Sequence, residues 1–257
     1  MGASQSQDLE PKLENNTVEP KNRENNVPVR PLTTEKTPDP KLVIDPKSSK
    51  KTEKIQLPYN YEAILKDADS HVGMSGMDEL LPQIHSGVFL NQKRKKYWVD
   101  KNNKNCFMLF ARDLSITWAE DSRFWHWTHQ TEATSDVEVA ELVQVCWLEL
   151  VGKFHVSKLS PGTLYQVVFI VMLKEEAYGW EVPVNFRLTL PNGRKIERKE
   201  TLMNKPRGKW IENPIGEFEA SFETGGEMEI YIHEYDAGGW KSGLVVKGVA
   251  IQPRELS

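Results

Sequence analysis

Hydrophobic and polar positions are organised in two different ways along this chain. From Cys106 onward, segments rich in Val, Ile, Phe, Tyr and Trp are separated by turn signals such as Ser160-Pro161-Gly162-Thr163, Pro191-Asn192-Gly193 and Ala237-Gly238-Gly239. In Glu227-Met228-Glu229-Ile230-Tyr231-Ile232-His233 the apolar Met228, Ile230 and Ile232 alternate with polar or amphipathic neighbours, which predicts a strand with one buried face. The stretch from Leu164 to Leu173 is almost continuously apolar, which predicts a strand covered on both sides or central in a sandwich. Helix-length amphipathic windows are nearly absent here. About eight strands at this spacing predict an all-β fold, two antiparallel sheets packed as a β-sandwich or jelly roll over residues 106–257.

Residues 1–55 carry no such pattern. Leu13, Val18 and Leu32 are isolated, all 24 aromatic residues lie at or beyond Tyr59, and 7 of the 15 prolines precede residue 50. A segment of this kind buries too little apolar surface to offset an ordering cost of roughly 1–2 kcal/mol per residue, so a disordered N-terminal extension is expected. Residues 56–105 read as a semi-ordered linker with a short helix near Met77–Ile84, limited by Pro82. Within it, Lys93-Arg94-Lys95-Lys96 reads as a solvated charge run, with a nuclear-import signal or a phosphate contact as alternatives.

Charge and motifs narrow the function. A formal net charge of −4 gives no electrostatic reason to expect nucleic-acid binding, so no specific DNA binding is expected. No apolar run of membrane-spanning length and no signal-peptide core is present, so a soluble, cytoplasmic protein is expected. Met1-Gly2-Ala3-Ser4-Gln5-Ser6 fits N-myristoylation with Gly2 as acceptor, and one acyl chain gives at most weak membrane association. Cys106 and Cys146 make neither a disulfide framework nor a zinc site; adjacent in space they could form one disulfide, but two strand-borne cysteines in a reducing compartment are expected to be buried hydrophobes. His126 and His129 lack an acidic or cysteine partner at ligand spacing and read as a surface pair. Phosphate-loop, dinucleotide and nucleophile-elbow motifs are missing, so the nucleotide-binding and α/β-hydrolase readings lack their starting evidence.

The aromatic residues are more informative. Trp118, Trp125 and Trp127 lie close together, with a polar, loop-like stretch between the first two. Tryptophan is usually core, but a loop bracketed by tryptophans can also present flat apolar faces. A sugar ring, with its C–H face and rim of hydroxyls, needs such a platform together with carboxylate or amide acceptors, for which Glu227 and Glu234 are candidates. Strand parity complicates that pairing. Glu227 points away from the face of Met228, Ile230 and Ile232, whereas Glu234 shares it, so both reach one ligand only if the strand bends, bulges or ends between them. On a straight strand Glu234 caps the buried face and needs a partner. Two carboxylates also raise a glycosidase reading, which depends on a separation the sequence does not give.

The blocks Ala111-Arg112-Asp113-Leu114-Ser115-Ile116-Thr117-Trp118, Glu138-Val139-Ala140-Glu141-Leu142, Val145-Cys146-Trp147-Leu148-Glu149, Leu159-Ser160-Pro161, Gly216-Glu217-Phe218 and Gly239-Trp240-Lys241-Ser242-Gly243-Leu244 resemble the phloem protein two lectins of plants, related to the jasmonate-inducible tobacco lectin group. The resemblance covers nearly all of residues 106–257. It implies a lectin-like jelly roll that binds N-acetylglucosamine oligomers of chitin type and N-glycan cores, on glycoproteins for example, without catalysis or a bound metal. Trp118 and Trp125 match the two sugar-binding tryptophans of that family, and Glu227 and Glu234 its two acceptor glutamates. Phe124 stands where tyrosine is frequent, which keeps the ring and loses a hydroxyl. Relatives with nuclear import carry a lysine run in the central loop; here Pro191-Asn192-Gly193-Arg194-Lys195-Ile196-Glu197-Arg198-Lys199 is basic but interrupted, which speaks against nuclear import. The resemblance further implies phloem sieve elements and companion cells, a homodimer, a defence role and other phloem proteins as partners. The competing expectation is a protein or ribonucleoprotein interaction module of the phloem with no functional sugar site.

Overall fold

The computed structural model describes residues 57–73, 76–132, 135–223, 225–236 and 238–255; the tail expected over residues 1–55, with Gly2, lies outside them. Two helices come first, α1 (Tyr61–Leu65) and α2 (Met77–Ser86). The strands are β1 (Val88–Leu90), β2 (Lys95–Val99), β3 (Asn105–Phe110), β4 (Ser115–Ile116), β5 (Trp125–Glu132), β6 (Ser135–Leu142) and β7 (Leu148–His155). They continue with β8 (Thr163–Tyr178), β9 (Val184–Thr189), β10 (Lys195–Glu200), β11 (Trp210–Ala220), β12 (Glu227–Glu234) and β13 (Ser242–Pro253). All named strand pairs are antiparallel and fall into two sheets, as the alternating pattern implied.

The smaller sheet has five strands in the order β10-β9-β12-β7-β4. The larger has eight, built around β13, which pairs with β8 along one edge while β6 and then β3 share the other. β11 extends β8, β5 extends β6, and β2 and β1 extend β3. The handover from β6 to β3 falls at Gly248, where the pairing with β8 also slips. Gly248 has φ 147°, and a Cβ there would stand 1.9 Å from the carbonyl oxygen of Leu109, so the fork requires glycine.

The inner faces of the two sheets form one core. Tyr165, Val167, Phe169, Val171 and Leu173 of β8 face Met228, Ile230 and Ile232 of β12 and Phe186 of β9 across it, all at most 1% exposed. Phe169 and Phe186 meet edge to face at 6.0 Å between ring centres. The near-continuous apolarity of β8 has its explanation in a second cluster, in which Val168 packs with Met108, Phe110, Val137 and Ala250 on the other side of the larger sheet.

The segment expected as a linker contributes structure to this domain. β1 and β2 add to the edge of β3, and α2 packs on β2 through Leu80 and Ile84, running on past Pro82 to Ser86. Burial of those two side chains outweighs the single backbone bond that proline removes. The buried Asn105 fastens the approach: its amide donates to the carbonyls of Tyr59 at 2.7 Å and Lys158 at 2.8 Å, and it accepts from the Tyr97 hydroxyl at 3.0 Å. The basic run is split between a turn and a strand. Backbone N–H groups of Gln92 and Lys93 donate to the Asp69 carboxylate, each at 2.6 Å, and Lys95 pairs with Asp113 at 2.7 Å.

Candidate functional site

Between β4 and β5 the chain makes a compact loop whose ends are tied to both sheets. Thr117 donates its backbone N–H to the Glu149 carbonyl at 3.1 Å, continuing the β4–β7 ladder one step into the loop. Asp121 organises the return. Its side chain accepts the Arg123 backbone N–H at 3.0 Å, and its carbonyl accepts those of Phe124 and Trp125. The Arg123 guanidinium beside it holds the Asp121 carboxyl below the usual carboxylate range.

Trp118 sits at the crest. It is 45% exposed, its ring rests on Phe124 at 5.1 Å, and its backbone is left-handed with φ 62°. For a bulky residue that conformation costs about 1–3 kcal/mol and persists only where the surroundings impose it. Two indoles impose it: Trp125 Nε1 donates to the Thr117 carbonyl at 3.1 Å, and Trp127 Nε1 to the Ala119 carbonyl at 2.9 Å. The carbonyls on either side of Trp118 are therefore clamped, and its ring is held toward solvent.

Beside Trp118 lies an open cavity of about 840 Å³, bordered also by Trp127, Arg112, Ser115, Glu120, Asp121 and Ser122. Arg112 forms one wall. Its guanidinium lies 3.5 Å from the centre of the Trp127 ring and makes a two-pronged bond with Glu138, 2.9 Å on each side, with a third at 3.1 Å to Glu120. That contact lowers the Glu138 carboxyl below its ordinary range. The cavity thus joins an aromatic face to carboxylates and hydroxyls.

The four residues singled out from the sequence do not converge. Trp118 is at the cavity, but Trp125 is 2% exposed, so its ring belongs to the core and cannot stack on a ligand. β12 runs straight, pairing residue for residue with β7 from Glu227↔His155 to Glu234↔Leu148. Its end residues therefore stand about 23 Å apart on opposite faces. Glu227 is half-exposed beside Lys153 at 3.2 Å. Glu234 caps the buried face as parity required, and its partner is Lys241; both side chains are 1% exposed and in direct contact, and Lys241 also donates to the Gly239 carbonyl at 2.9 Å. Neither glutamate lines the cavity. Cys106 and Cys146 are free thiols; Cys106 on β3 is buried as expected, whereas Cys146 lies in the loop before β7 and is only partly buried, and His126 and His129 are exposed on β5.

One carboxylate escaped the sequence reading. Glu149 of β7 accepts the Thr117 hydroxyl at 2.8 Å, the Tyr231 hydroxyl at 2.5 Å and the Trp147 indole N–H at 3.3 Å. Those donors, Tyr231 foremost, hold its carboxyl below the ordinary range. Parity along Trp147-Leu148-Glu149 was the available signal, since a buried Leu148 turns Glu149 outward.

An all-β sandwich that presents one clamped, exposed tryptophan over an open polar cavity has the makings of a recognition domain. The family to which the chain belongs is Phloem protein 2, whose model matches residues 104–253. Protein PHLOEM PROTEIN 2-LIKE A1 of Arabidopsis thaliana is 46% identical over 80% of this chain and 85% of its own length. A protein named "Lectin" from Luffa acutangula is 44% identical over 78% of this chain and 97% of its own. Among solved structures, the CBM22-1 xylan-binding domain from Paenibacillus barcinonensis Xyn10C matches 58% of this chain and 90% of that one, with 12% identity and a TM-score of 0.34, too slight a likeness to carry weight.

Proposed function

We propose that the protein is a non-enzymatic lectin of the phloem that binds N-acetylglucosamine oligomers and N-glycan cores at the Trp118 cavity. The observation that carries this reading is the clamped, exposed indole of Trp118 beside Glu120, Ser115 and Ser122. The indole supplies a face for the C–H side of a sugar ring, and the neighbouring oxygens accept its hydroxyl and amide donors. Trp125 acts one step back by fixing the Thr117 carbonyl, and Glu234 is committed to its buried pair with Lys241. The Luffa relative's name and the family support a carbohydrate ligand.

Burial of one ring face is worth about 1–2 kcal/mol, so single sugars bind weakly and oligomers gain. Isothermal titration of the full chain with chitotriose tests the proposal. Saturable heat is expected for the native protein and none for a folded Trp118→Ala variant; no heat in either removes the sugar reading.

A further inference from the structure

The outward face of the smaller sheet carries a continuous row of stacked side chains. The Arg187 guanidinium lies 4.4 Å from the Tyr231 ring centre, Tyr231 and His233 are 4.7 Å apart, His233 and Tyr235 5.0 Å, and Tyr235 and Trp147 4.1 Å with only 12° between their planes. β12 supplies Tyr231 and His233 through the positions that alternate with its buried Ile230 and Ile232. Trp147 ends the row. One ring face lies on Tyr235, its N–H points to Glu149 Oε2, and it remains 42% exposed. Two constraints thus fix this indole before any ligand arrives, which spares the rotamer entropy that binding would otherwise cost.

The row is continuous with the Trp118 site. Glu149 holds Trp147 through one hydrogen bond and Thr117 through another, and Thr117 precedes Trp118 in the chain. Those links place the Trp118 Cα no more than about 12 Å from the Trp147 indole nitrogen. Trp118 and Trp147 are therefore two exposed aromatic faces joined through one carboxylate, and the edges of Tyr231, His233 and Tyr235 lead away from them along the sheet.

Resting on the carbohydrate reading above, we infer that Trp147, packed on Tyr235, is a second aromatic contact and that the ligand is an internal stretch of a β-linked oligosaccharide laid from Trp118 onto this row. Trp118 receives one sugar unit and Trp147 another further along the chain. The ligand is uncharged at this point, because Glu149 already accepts three donors from the protein and Arg187 lies over Tyr231. Chain length, in place of the identity of a terminal residue, then sets affinity.

The test is titration of the full chain with chitobiose, chitotriose and chitotetraose, using the native protein, Trp147→Ala, Trp147→Phe and Trp118→Ala, each checked for an intact thermal transition. The native affinity is expected to rise with length. Trp147→Ala should leave chitobiose within about twofold and lose about tenfold on chitotetraose, a difference of about 1.4 kcal/mol. Trp147→Phe, which keeps a ring on Tyr235, should recover most of that loss. Native length dependence in folded Trp147→Ala would overturn the inference, and so would an equal loss at every length, because Trp147 would then act only through Glu149 on the Trp118 cavity. If the native protein binds none of the three, the sugar reading itself falls, a result distinct from either of these.

Discussion

Trp118 and Trp125 bracket one loop, seven residues apart, and the two ends of that loop use the same side chain for opposite purposes. At the crest, Trp118 is 45% exposed in a backbone conformation that bulky residues avoid. At the foot, Trp125 is 2% exposed, filling the core and spending its one polar group on the Thr117 carbonyl. The strain at the crest depends on the anchorage at the foot. A buried residue can thus hold an exposed one in place, and substitutions alone will confuse the two roles unless stability is measured alongside affinity. β12 repeats the contrast in its carboxylates: Glu227 is half-exposed near a lysine, and Glu234 is buried against one.

The contrast breaks most visibly through stability. Trp125→Ala should cost about 3–5 kcal/mol by opening a cavity, a fall in Tm of roughly 6–20 °C, whereas Trp118→Ala should change stability by less than about 1 kcal/mol. Comparable thermal melts of the two variants would erase the distinction. Glu234→Ala should also cost about 3–5 kcal/mol, because it strands the Lys241 ammonium in the core, and pairing it with Lys241→Met should recover much of that loss. Chemical denaturation of the two single variants and the double variant measures the coupling directly.

A smaller effect sharpens the comparison. Trp125→Phe keeps most of the volume but deletes the N–H that clamps Thr117, for about 1 kcal/mol in stability and weaker chitotriose binding, read by titration of a protein shown to be folded. Glu149 adds a dependence on pH. Its folded carboxyl titrates below the unfolded value of about 4.3, so its contribution is complete above that pH and is lost as pH falls through the folded value. Glu149→Gln should therefore flatten the acid limb of a stability profile measured from pH 6 to 3. The smallest effect belongs to Glu227→Ala, expected within about 0.5 kcal/mol and neutral for binding; a large loss of chitotriose affinity would return Glu227 to the site.

Much of this architecture was legible in the residues. Alternation in β12, the unbroken apolar run of β8 and the parity that turns Glu234 inward are local signals, and each survives folding because sheet geometry has a strict period of two. β1 and β2 were not legible. Tyr97 and Val99 face the core, but Lys95 and Lys96 next to them read as part of a charge run, and no local feature announces that the edge of β3 needs covering. Of the candidate site, the sequence located one exposed ring: Trp118 lies in a loop marked as polar. The buried role of Trp125 depends on the Thr117 carbonyl, and that of Glu234 on Lys241 across a loop, and only the folded chain brings those partners together. Trp147 and Glu149 lay inside a recognisable block, yet their joint role depends on Tyr231 and Tyr235 from another strand and its following loop.

The most direct test of the division between contact and support uses the indole N–H signals of the protein's eight tryptophans, resolved by ¹⁵N labelling and assigned by single Trp→Phe variants, during titration with chitotriose. With Trp118 as the contact, its signal should move saturably and furthest, with Trp125 moving little because its N–H is already committed inside the core. Movement led by Trp125, or saturable binding that leaves Trp118 unmoved, would contradict that assignment.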